Sequence, residues 1–571
     1  GLLRPIVVVD ACFIREADAQ MLRAALLHEH AHITGFDTLR SFIVRLCLGA
    51  NPAGSLLAAD FERWRNAREA VCDSEAVQRG GDAVAATLAA AITLTVVEPT
   101  SNGIGSDAFA LVWDGEKLYG YNGSGRSPAA LAREHFAGMD AVPTTGWLPV
   151  TTPGAVETWV ALSARFGKLP FAELFTAAVR YAEEGYAVGP VTAAAWARAA
   201  KHYKGPAFEH FRETFTCAGR APATGELVRL PDHAATLRVI AATDGESFYR
   251  GELAERIADA AAAQGGLLSR GDLAGHTGQW VEPLRVNYEG LEVAELPPNG
   301  QGVAALVALG VLDRLDLRQH PVDSVDSVHL QVEVMKRGFA ELTTHIADAG
   351  AMRIDPANLI APETLDQHAA AIDPGRATNP TTCVSPDHGT VYLTAADESG
   401  MMVSFIQSNY MGFGSGVVVP GTGIAMQNRG AGFTLTSSHP NEVAGGKRPL
   451  HTIIPAMALR DGKPALSFGV MGGHMQPQGH VQMVTRIFTY GQDPQQASDA
   501  PRWYVDEQWR VHIEPGHQNL QELVAGLRAR GHDVVVEKDS HLFGGAQLIL
   551  ATPSGYCAAS DHRKEGLAAG D

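Results

Sequence analysis

The hydrophobic period of this chain changes near residue 390, and that change constrains the fold more than any other feature. Between about residues 150 and 380, apolar residues mostly recur at helical spacing, interrupted by the glycine turn "LPPNGQG" at 296–302. After residue 390 they alternate, as in "TVYLTAAD" and "GMMVSFIQS", which flank a turn at 397–400 and predict a hairpin. Helices followed by strands predict an α+β fold built of layers.

Length and charge limit the class of function. A chain of 571 residues predicts two to four folding units, and a net charge of −18 argues against nucleic acid or an anionic membrane as a partner. Six scattered cysteines without a CxxC pair favour a reducing, cytoplasmic compartment. Because the chain does not begin with methionine, a removed leader and a periplasmic location stay open.

A threonine follows a glycine at the head of the predicted hairpin. The turn brings Ser408 within about one residue of the position opposite Thr390, so two hydroxyls face each other after Gly389. A threonine placed in this way can attack the preceding carbonyl and become a new N-terminus, whose amine, with a pKa of roughly 8, serves as a base. Most Gly-Thr pairs in strands are only structural, so the residues alone leave both interpretations open.

A second requirement of such chemistry is a set of backbone N–H groups that stabilise an oxyanion. The stretch "SFGVMGGHMQPQGHVQMV" predicts a strand, then Gly472 and Gly473, then the start of a helix. The N-terminus of a helix leaves N–H groups unpaired, so this turn is a candidate oxyanion hole.

Several stretches of the chain, from about residue 79 to the end, carry a resemblance to a known family. They include "RGGDAVAATLAAAITLTVVEPTSNGIGSDAFAL", "LPPNGQG", "GTVYLTAADESG", "SNYMGFGSGVVVPGTGIAMQNRGAGF", "KRPLHTIIPAM" and "MGGHMQPQGH". The chain resembles the γ-glutamyltransferase family of N-terminal-nucleophile hydrolases, and within it the acylase-like branch. The resemblance implies a self-processing amide hydrolase or acyltransferase with a four-layer αββα sandwich.

The resemblance also implies roles and boundaries. It assigns Thr390 as the nucleophile, Ser408 as the hydroxyl bonded to it, and Gly472 and Gly473 as the oxyanion pair. It implies cleavage after Gly389 into a large fragment, 79–389, and a small fragment, 390–571. The two fragments stay together as a heterodimer, a higher oligomer stays open, and the chemistry requires no cofactor.

The chain departs from the family where a γ-glutamyl group is held. The family's arginine for the substrate α-carboxylate falls at Ser124, and the asparagine and aspartate for the α-amino group fall at Tyr410 and Gly432. A zwitterion would lose charged partners, so we expect a substrate other than plain glutathione, with an uncharged or dicarboxylic acyl group. The residues expected to bind the substrate are Tyr410, Arg126, Arg429, His451 and Thr452.

The N-terminal segment, 1–78, carries a different motif. In "ALLHEHAHITGF", His28 and His32 have the HExxH spacing that places both on one helix face, with Glu29 as the base, and Glu69 supplies a third zinc ligand. Residues 4–79 resemble the core of antibiotic-sensor-type membrane metallopeptidases, without the flanking membrane helices of that family. We therefore predict a small helical segment with a zinc site, joined to the larger domain near residues 76–84.

Three hypotheses remain open at this stage. The first is an amide hydrolase or acyltransferase that uses Thr390. The second is a zinc peptidase that uses His28, His32 and Glu69. The third is a binding protein that has lost self-processing.

Overall fold

The computed structural model describes residues 82–380 and 389–570. The zinc site predicted from His28, His32 and Glu69, with Glu29 as its base, lies outside these residues, as does the predicted helical segment around it. Within the described ranges, no helix is both long enough and apolar enough to cross a bilayer.

Sixteen strands are described, and most belong to two large sheets. Their bounds are β1 (Asp107–Trp113), β2 (Leu118–Asn122), β3 (Tyr186–Ala187), β4 (Leu227–Val228), β5 (Gln279–Val281), β6 (Leu284–Tyr288), β7 (Leu291–Glu295), β8 (Gly389–Ala396), β9 (Met402–Tyr410), β10 (Ala456–Arg460), β11 (Lys463–Met471), β12 (Trp503–Val505), β13 (Val511–Ile513), β14 (Val534–Val536), β15 (Gly545–Thr552) and β16 (Gly555–Ser560).

The described α-helices concentrate between β2 and β8. Their bounds are α1 (Ala83–Val97), α2 (Ala155–Phe166), α3 (Thr176–Glu184), α4 (Pro190–His202), α5 (Glu209–Phe215), α6 (Pro231–Ala242), α7 (Glu246–Arg250), α8 (Glu252–Ala263), α9 (Arg270–Ala274), α10 (Gly302–Leu312), α11 (Val325–His345), α12 (Pro362–Ala370), α13 (Met475–Val484), α14 (Pro494–Asp499) and α15 (Leu520–Ala529).

The two large sheets pack face to face. One has the order β5-β2-β1-β9-β8 and the other β16-β15-β11-β10-β7-β6, and every pairing in them is antiparallel. Apolar side chains from both inner faces, such as Phe109 and Ile406 from one sheet and Met457 and Ile549 from the other, form one buried cluster. This is the sheet-on-sheet core of a sandwich.

Helices cover both outer faces. α1 packs on the five-stranded sheet, and α10 packs on the six-stranded one. α10 is buried at every residue, which explains why it is apolar on all sides instead of amphipathic. The four layers are helix, sheet, sheet and helix, which confirms the predicted αββα class.

Strands from before and after Thr390 share both sheets. In the five-stranded sheet β1 pairs with β9, and in the six-stranded sheet β7 pairs with β10. The predicted hairpin is confirmed as β8 and β9. The strands β5, β6 and β7, however, lie in a region that the sequence pattern predicted to be mostly helical.

Candidate active site

Thr390 lies at an irregular point of the β8–β9 pairing. Gly389 is opposite Tyr410 and Val391 is opposite Gln407, so one strand carries an extra residue between these pairs. Such a bulge turns side chains out of the regular alternation. Thr390 is buried here, and its hydroxyl donates a hydrogen bond to Ser408 Oγ at 3.2 Å. The facing hydroxyls predicted from the hairpin are confirmed.

Gly389 is a glycine for a steric reason. A Cβ atom at this position would lie 2.7 Å from the backbone nitrogen of Gly412 and 3.2 Å from its Cα. Backbone atoms cannot move aside as the end of a flexible side chain can, so a larger residue would displace the head of β8. The close approach holds the peptide bond before Thr390 next to Ser408.

Ser408 connects the threonine hydroxyl to the carbonyl that precedes it. Its hydroxyl donates to the carbonyl oxygen of Gly389. This carbonyl is the group that the Thr390 hydroxyl would attack. The Ser408 oxygen accepts from the backbone N–H of Tyr410 at 2.8 Å and from Arg429 Nη2 at 3.0 Å. The bonds from Tyr410 and Arg429 polarise the Ser408 hydroxyl, which strengthens its hydrogen bond to the Gly389 carbonyl.

Arg429 is a fully buried cation with neutral partners. Its Nη1 donates to Thr452 Oγ1 at 2.8 Å, its guanidinium lies 4.4 Å from the centre of the Tyr410 ring, and no described atom accepts from its Nε. Burial lowers the pKa of Arg429 to about 10, and the charge of Asp107 opposes that shift. The guanidinium is therefore charged at neutral pH and under-partnered, which suits an incoming anion.

Asp107 and His451 form a buried pair beside this cation. His451 Nε2 is 3.1 Å from Asp107 Oδ2, while Asp107 Oδ1 accepts from Gln427 Nε2 at 3.0 Å and from Gly154 N at 2.9 Å. Burial, together with the charge of Arg429, lowers the pKa of His451 to about 3, so the ring is neutral. Asp107, whose Cα is paired with that of Ser408 across β1 and β9, was not found from the sequence.

The glycine pair reaches the same place from the other sheet. Tyr392 on β8 packs against Gly469 on β11, and Thr394 Oγ1 lies 2.7 Å from Ser467 Oγ, so the two strands run in opposite directions across the sandwich. β11 ends at Met471, immediately before the glycines. Thr390 and Met471 line one cavity of about 940 Å³.

Gly472 and Gly473 form the turn between β11 and α13. Their φ values are +129° and +56°, conformations that side chains disfavour. The Gly472 carbonyl accepts from Met475 N at 2.9 Å, toward the helix. Because a trans peptide places C=O and N–H on opposite sides, the N–H of Gly473 points away from that helix.

Gln301 ties the two halves of the site together, and the sequence reasoning missed it. Its side-chain amide donates to the carbonyl of Gly473 at 2.7 Å and to the carbonyl of Thr452, and its oxygen lies 2.8 Å from His474 Nδ1. Gln301 belongs to the "LPPNGQG" turn, one of the stretches that carry the family resemblance, and that motif could have indicated Gln301.

Two predicted pocket positions have other partners. Arg126 donates to Asp348 Oδ2 at 2.7 Å and to the Gly446 carbonyl, and its side chain is 45% exposed. Ser124 is buried and donates to the side chains of Asn122 and Asn299. Contacts therefore join Thr390, Ser408, Tyr410, Arg429 and Thr452, whereas none of those described joins Arg126 to Thr390.

The fold and this arrangement define a class: an αββα hydrolase with a hydroxyl nucleophile candidate at the head of a strand. The model of the gamma-glutamyltranspeptidase family matches residues 70–571, and the chain belongs to that family. It is accordingly an enzyme, a hydrolase or acyltransferase acting on amides, and the family requires no cofactor.

Individual relatives agree with the family match. The chain is 38% identical to "Oxamate amidohydrolase proenzyme" of Klebsiella pneumoniae over 86% of this chain and 95% of the relative. It is 30% identical to "Acylase ACY 1 proenzyme" of Pseudomonas sp. strain SE83 over 83% and 87%. The structure of a cephalosporin acylase from Bacillus halodurans superposes with a TM-score of 0.82 at 44% identity, covering 86% of this chain and 92% of that one. The names of the first two relatives describe them as proenzymes, so an autoprocessed two-chain heterodimer follows for this family.

Proposed function

We propose that this protein cuts its own chain between Gly389 and Thr390 and then hydrolyses amides through an acyl-enzyme on Thr390. The proposal is based on two hydrogen bonds of the Ser408 hydroxyl. It accepts one from the Thr390 hydroxyl and donates the other to the Gly389 carbonyl oxygen. The fragments would be a large one ending at Gly389 and a small one, 390–571.

The first step is an acyl shift within the chain. Thr390 Oγ1 bonds to the carbonyl carbon of Gly389, the bond from that carbon to the Thr390 nitrogen breaks, and the hydroxyl proton ends on the nitrogen. Ser408, polarised by Arg429, stabilises the negative charge that forms on the carbonyl oxygen. Water then hydrolyses the ester, which leaves a carboxylate on Gly389 and restores the hydroxyl.

The released amine makes the mature nucleophile. An α-amine with a pKa of about 8 takes the hydroxyl proton when Thr390 attacks an external amide and returns it to the leaving amine. The Gly473 N–H, directed away from α13, would hold the oxyanion of the tetrahedral intermediate. Water or another amine then releases the acyl group from the ester.

The preferred substrate is an amide whose acyl group carries a carboxylate and no α-amino group. Arg429 supplies a buried positive charge beside the nucleophile, and its described hydrogen-bond partners are neutral hydroxyls. Gly432 offers no side chain to an α-ammonium group. The name of the relative from K. pneumoniae, oxamate amidohydrolase, names an amide of this kind and supports the proposal.

Self-cleavage is tested by changing the nucleophile. Thr390→Ala should give one uncut chain, whereas Thr390→Ser should still give two fragments, because serine keeps the attacking hydroxyl. Denaturing gels and mass spectrometry of the small fragment measure the result. A fragment that begins at a residue other than Thr390, or an alanine variant that is cut normally, would contradict the mechanism.

The remaining parts of the sequence hypothesis stay predictions. The family model begins at residue 70, after the last predicted zinc ligand, so zinc binding by His28, His32 and Glu69 rests on the sequence pattern alone. A higher oligomer and a cytoplasmic location likewise rest on expectation from the sequence.

A further inference from the structure

The chain just upstream of the scissile bond is held by a buried ionic group remote from Thr390 in sequence. Glu333 and Lys336, one helical turn apart on α11, form an ion pair at 2.9 Å, and both side chains are fully buried. Burying two charges is costly, so such a pair requires strong additional hydrogen bonds. Those bonds go to the residues that lead toward the cleavage site.

Thr378 and Asn379, the middle two residues of the segment 377–380, receive these bonds. Glu333 Oε2 accepts from the backbone N–H of Thr378 at 2.9 Å and from its hydroxyl. Lys336 Nζ donates to the Thr378 carbonyl at 2.9 Å and to Asn379 Oδ1 at 3.2 Å. The donors of this segment therefore face the carboxylate of Glu333, and its acceptors face the ammonium of Lys336. This arrangement fixes the orientation of Thr378 and Asn379 as well as their position.

Arg337 on α11 also donates to the Thr378 hydroxyl at 3.4 Å, and two further bonds to this segment come from beyond Thr390. Trp509 Nε1 donates to the Pro380 carbonyl at 2.9 Å, and the backbone N–H of Ala377 donates to the Arg530 carbonyl at 2.7 Å. We use the name upstream clamp for Glu333, Lys336, Trp509 and the Arg530 carbonyl. The clamp combines side chains of the large fragment with groups of the small one.

Two histidines complete the surroundings of the lysine. His532 Nδ1 lies 3.4 Å from Lys336 Nζ, its Nε2 lies 2.8 Å from His329 Nδ1, and His329 Nε2 lies 2.8 Å from the Asp373 carbonyl. When both imidazole rings are neutral, each ring N–H has an acceptor: His532 Nε2 donates to His329 Nδ1, and His329 Nε2 donates to the Asp373 carbonyl. His329, Glu333 and His532 could otherwise hold a metal ion, but the ammonium of Lys336 already provides the cation of this cluster.

We propose that the upstream clamp is a positioning device for self-cleavage: it docks residues 377–380 so that the peptide bond after Gly389 is presented to Thr390. The inference rests on the proposed self-cleavage at Thr390. Eight residues separate Pro380 from Gly389. Without the clamp, the connection that ends at Gly389 would begin further upstream and would be correspondingly longer. Doubling a closing loop lowers its closure probability about threefold.

The experiment compares cleavage rates in full-length chains. Thr378→Val combined with Trp509→Phe removes two clamp bonds and leaves the buried ion pair in place. Pulse-labelled chains from cell-free synthesis are followed on denaturing gels. We expect the half-time of cleavage to rise at least threefold, while kcat/KM of the fragments once cut stays within twofold of the unchanged protein.

Matched controls separate positioning from general damage. Thr344→Val removes an exposed α11 hydroxyl bonded only to its own helix, and Trp280→Phe alters a half-exposed tryptophan, so neither should slow cleavage. Thr378→Ser keeps the hydroxyl, so it should be cut at close to the unchanged rate where Thr378→Val is slow. If the double variant folds poorly, the single variant Thr378→Val is tested in its place.

Each outcome decides one question. If the unchanged chain yields no fragment that begins at Thr390, the proposed function itself fails. If that fragment appears and the clamp variants are cut at the unchanged rate, only the positioning role fails. A slower cut accompanied by an equal fall in kcat/KM would also overturn the inference, because it would indicate damage to the whole fold.

Discussion

At the scale of single residues, Arg429 links both halves of the chemistry. It bonds Ser408, which polarises the Gly389 carbonyl, and it bonds Thr452, which precedes the apolar stretch leading to β10. In the proposed mechanism the residue therefore contributes both to the position of the nucleophile and to the charge that a substrate meets. These two contributions can be separated by comparing substrates.

We predict that Arg429→Met changes selectivity more than it changes overall rate. A charge-assisted hydrogen bond contributes about 1.5–3 kcal/mol, so kcat/KM for a dicarboxylic monoamide should fall about 10- to 100-fold relative to its methyl ester. Loss of the bond to Ser408 lowers both rates, so the ratio of the two is the measurement. An unchanged ratio would exclude Arg429 as the partner of the substrate carboxylate. If the unchanged enzyme instead prefers γ-glutamyl anilides, the proposed acyl group is wrong.

Local sequence patterns singled out part of this site, and the family resemblance assigned its roles. Thr390, Ser408 and the glycine pair were found because a glycine before threonine, a hairpin turn and a strand-to-helix glycine turn are all local patterns. Gln301, Asp107 and the orientation of His451 were not found, because the contacts that bring them into the site include pairs 151 and 344 positions apart. Spacing along a chain carries no information about such pairs.

At the scale of elements, the turn between β11 and α13 carries the oxyanion proposal. It is short, both its glycines have positive φ values, and Gln301 fixes it from a separate segment of the chain. The turn between β10 and β11, which contains Gly462, has a similar backbone conformation with φ of +74° and open space around it. These two glycines form a natural pair for comparison.

We predict that Gly473→Ala lowers kcat at least tenfold with a smaller change in KM, because a displaced N–H weakens the binding of the transition-state oxyanion more than it weakens the binding of the substrate. Gly462→Ala introduces the same backbone strain away from the site. Both variants should lose similar stability in urea, and only the first should lose kcat. Equal kcat in both variants would remove Gly473 from the oxyanion hole.

Elements also differed in how readily they could be predicted. β8 and β9 have strict alternation and a clear turn, so the hairpin was confirmed. β5, β6 and β7 are three to five residues long and lie among helices, so a long window averages their alternation away. β5 pairs with β2 and β7 pairs with β10, which are distant in sequence, while β6 pairs with its neighbour β7. The pairing itself stabilises such short strands.

At the scale of the whole molecule, several histidines are buried in neutral form. Burial lowers the pKa of His233 and of His276 to about 4, and that of His451 to about 3. In the unfolded chain these groups titrate near 6.5. Between the two values the unfolded state binds more protons, so their contribution to stability is complete above pH 6.5 and is lost as the pH falls toward 4.

We predict that unfolding free energy falls steeply between pH 6.5 and pH 4.5. Each buried histidine contributes a slope of about 1.4 kcal/mol per pH unit in the middle of this range. His233→Gln should flatten the slope by roughly that amount. Urea unfolding of the uncut Thr390→Ala chain measures it, since an uncut chain unfolds as one molecule. A slope unchanged by His233→Gln would show that His233 is protonated in the folded state.

The proposed cut would divide the strands of each sheet between two chains, which has a consequence for the life of the enzyme. Before the cut, β1 and β9 belong to one molecule and find each other at a rate independent of concentration. After the cut, a denatured enzyme becomes two separate polymers that must meet and interleave their strands, and dilution opposes this encounter. The working lifetime is therefore governed by how slowly the first unfolding occurs, and a heat pulse from which the precursor recovers would end the activity of the mature enzyme permanently.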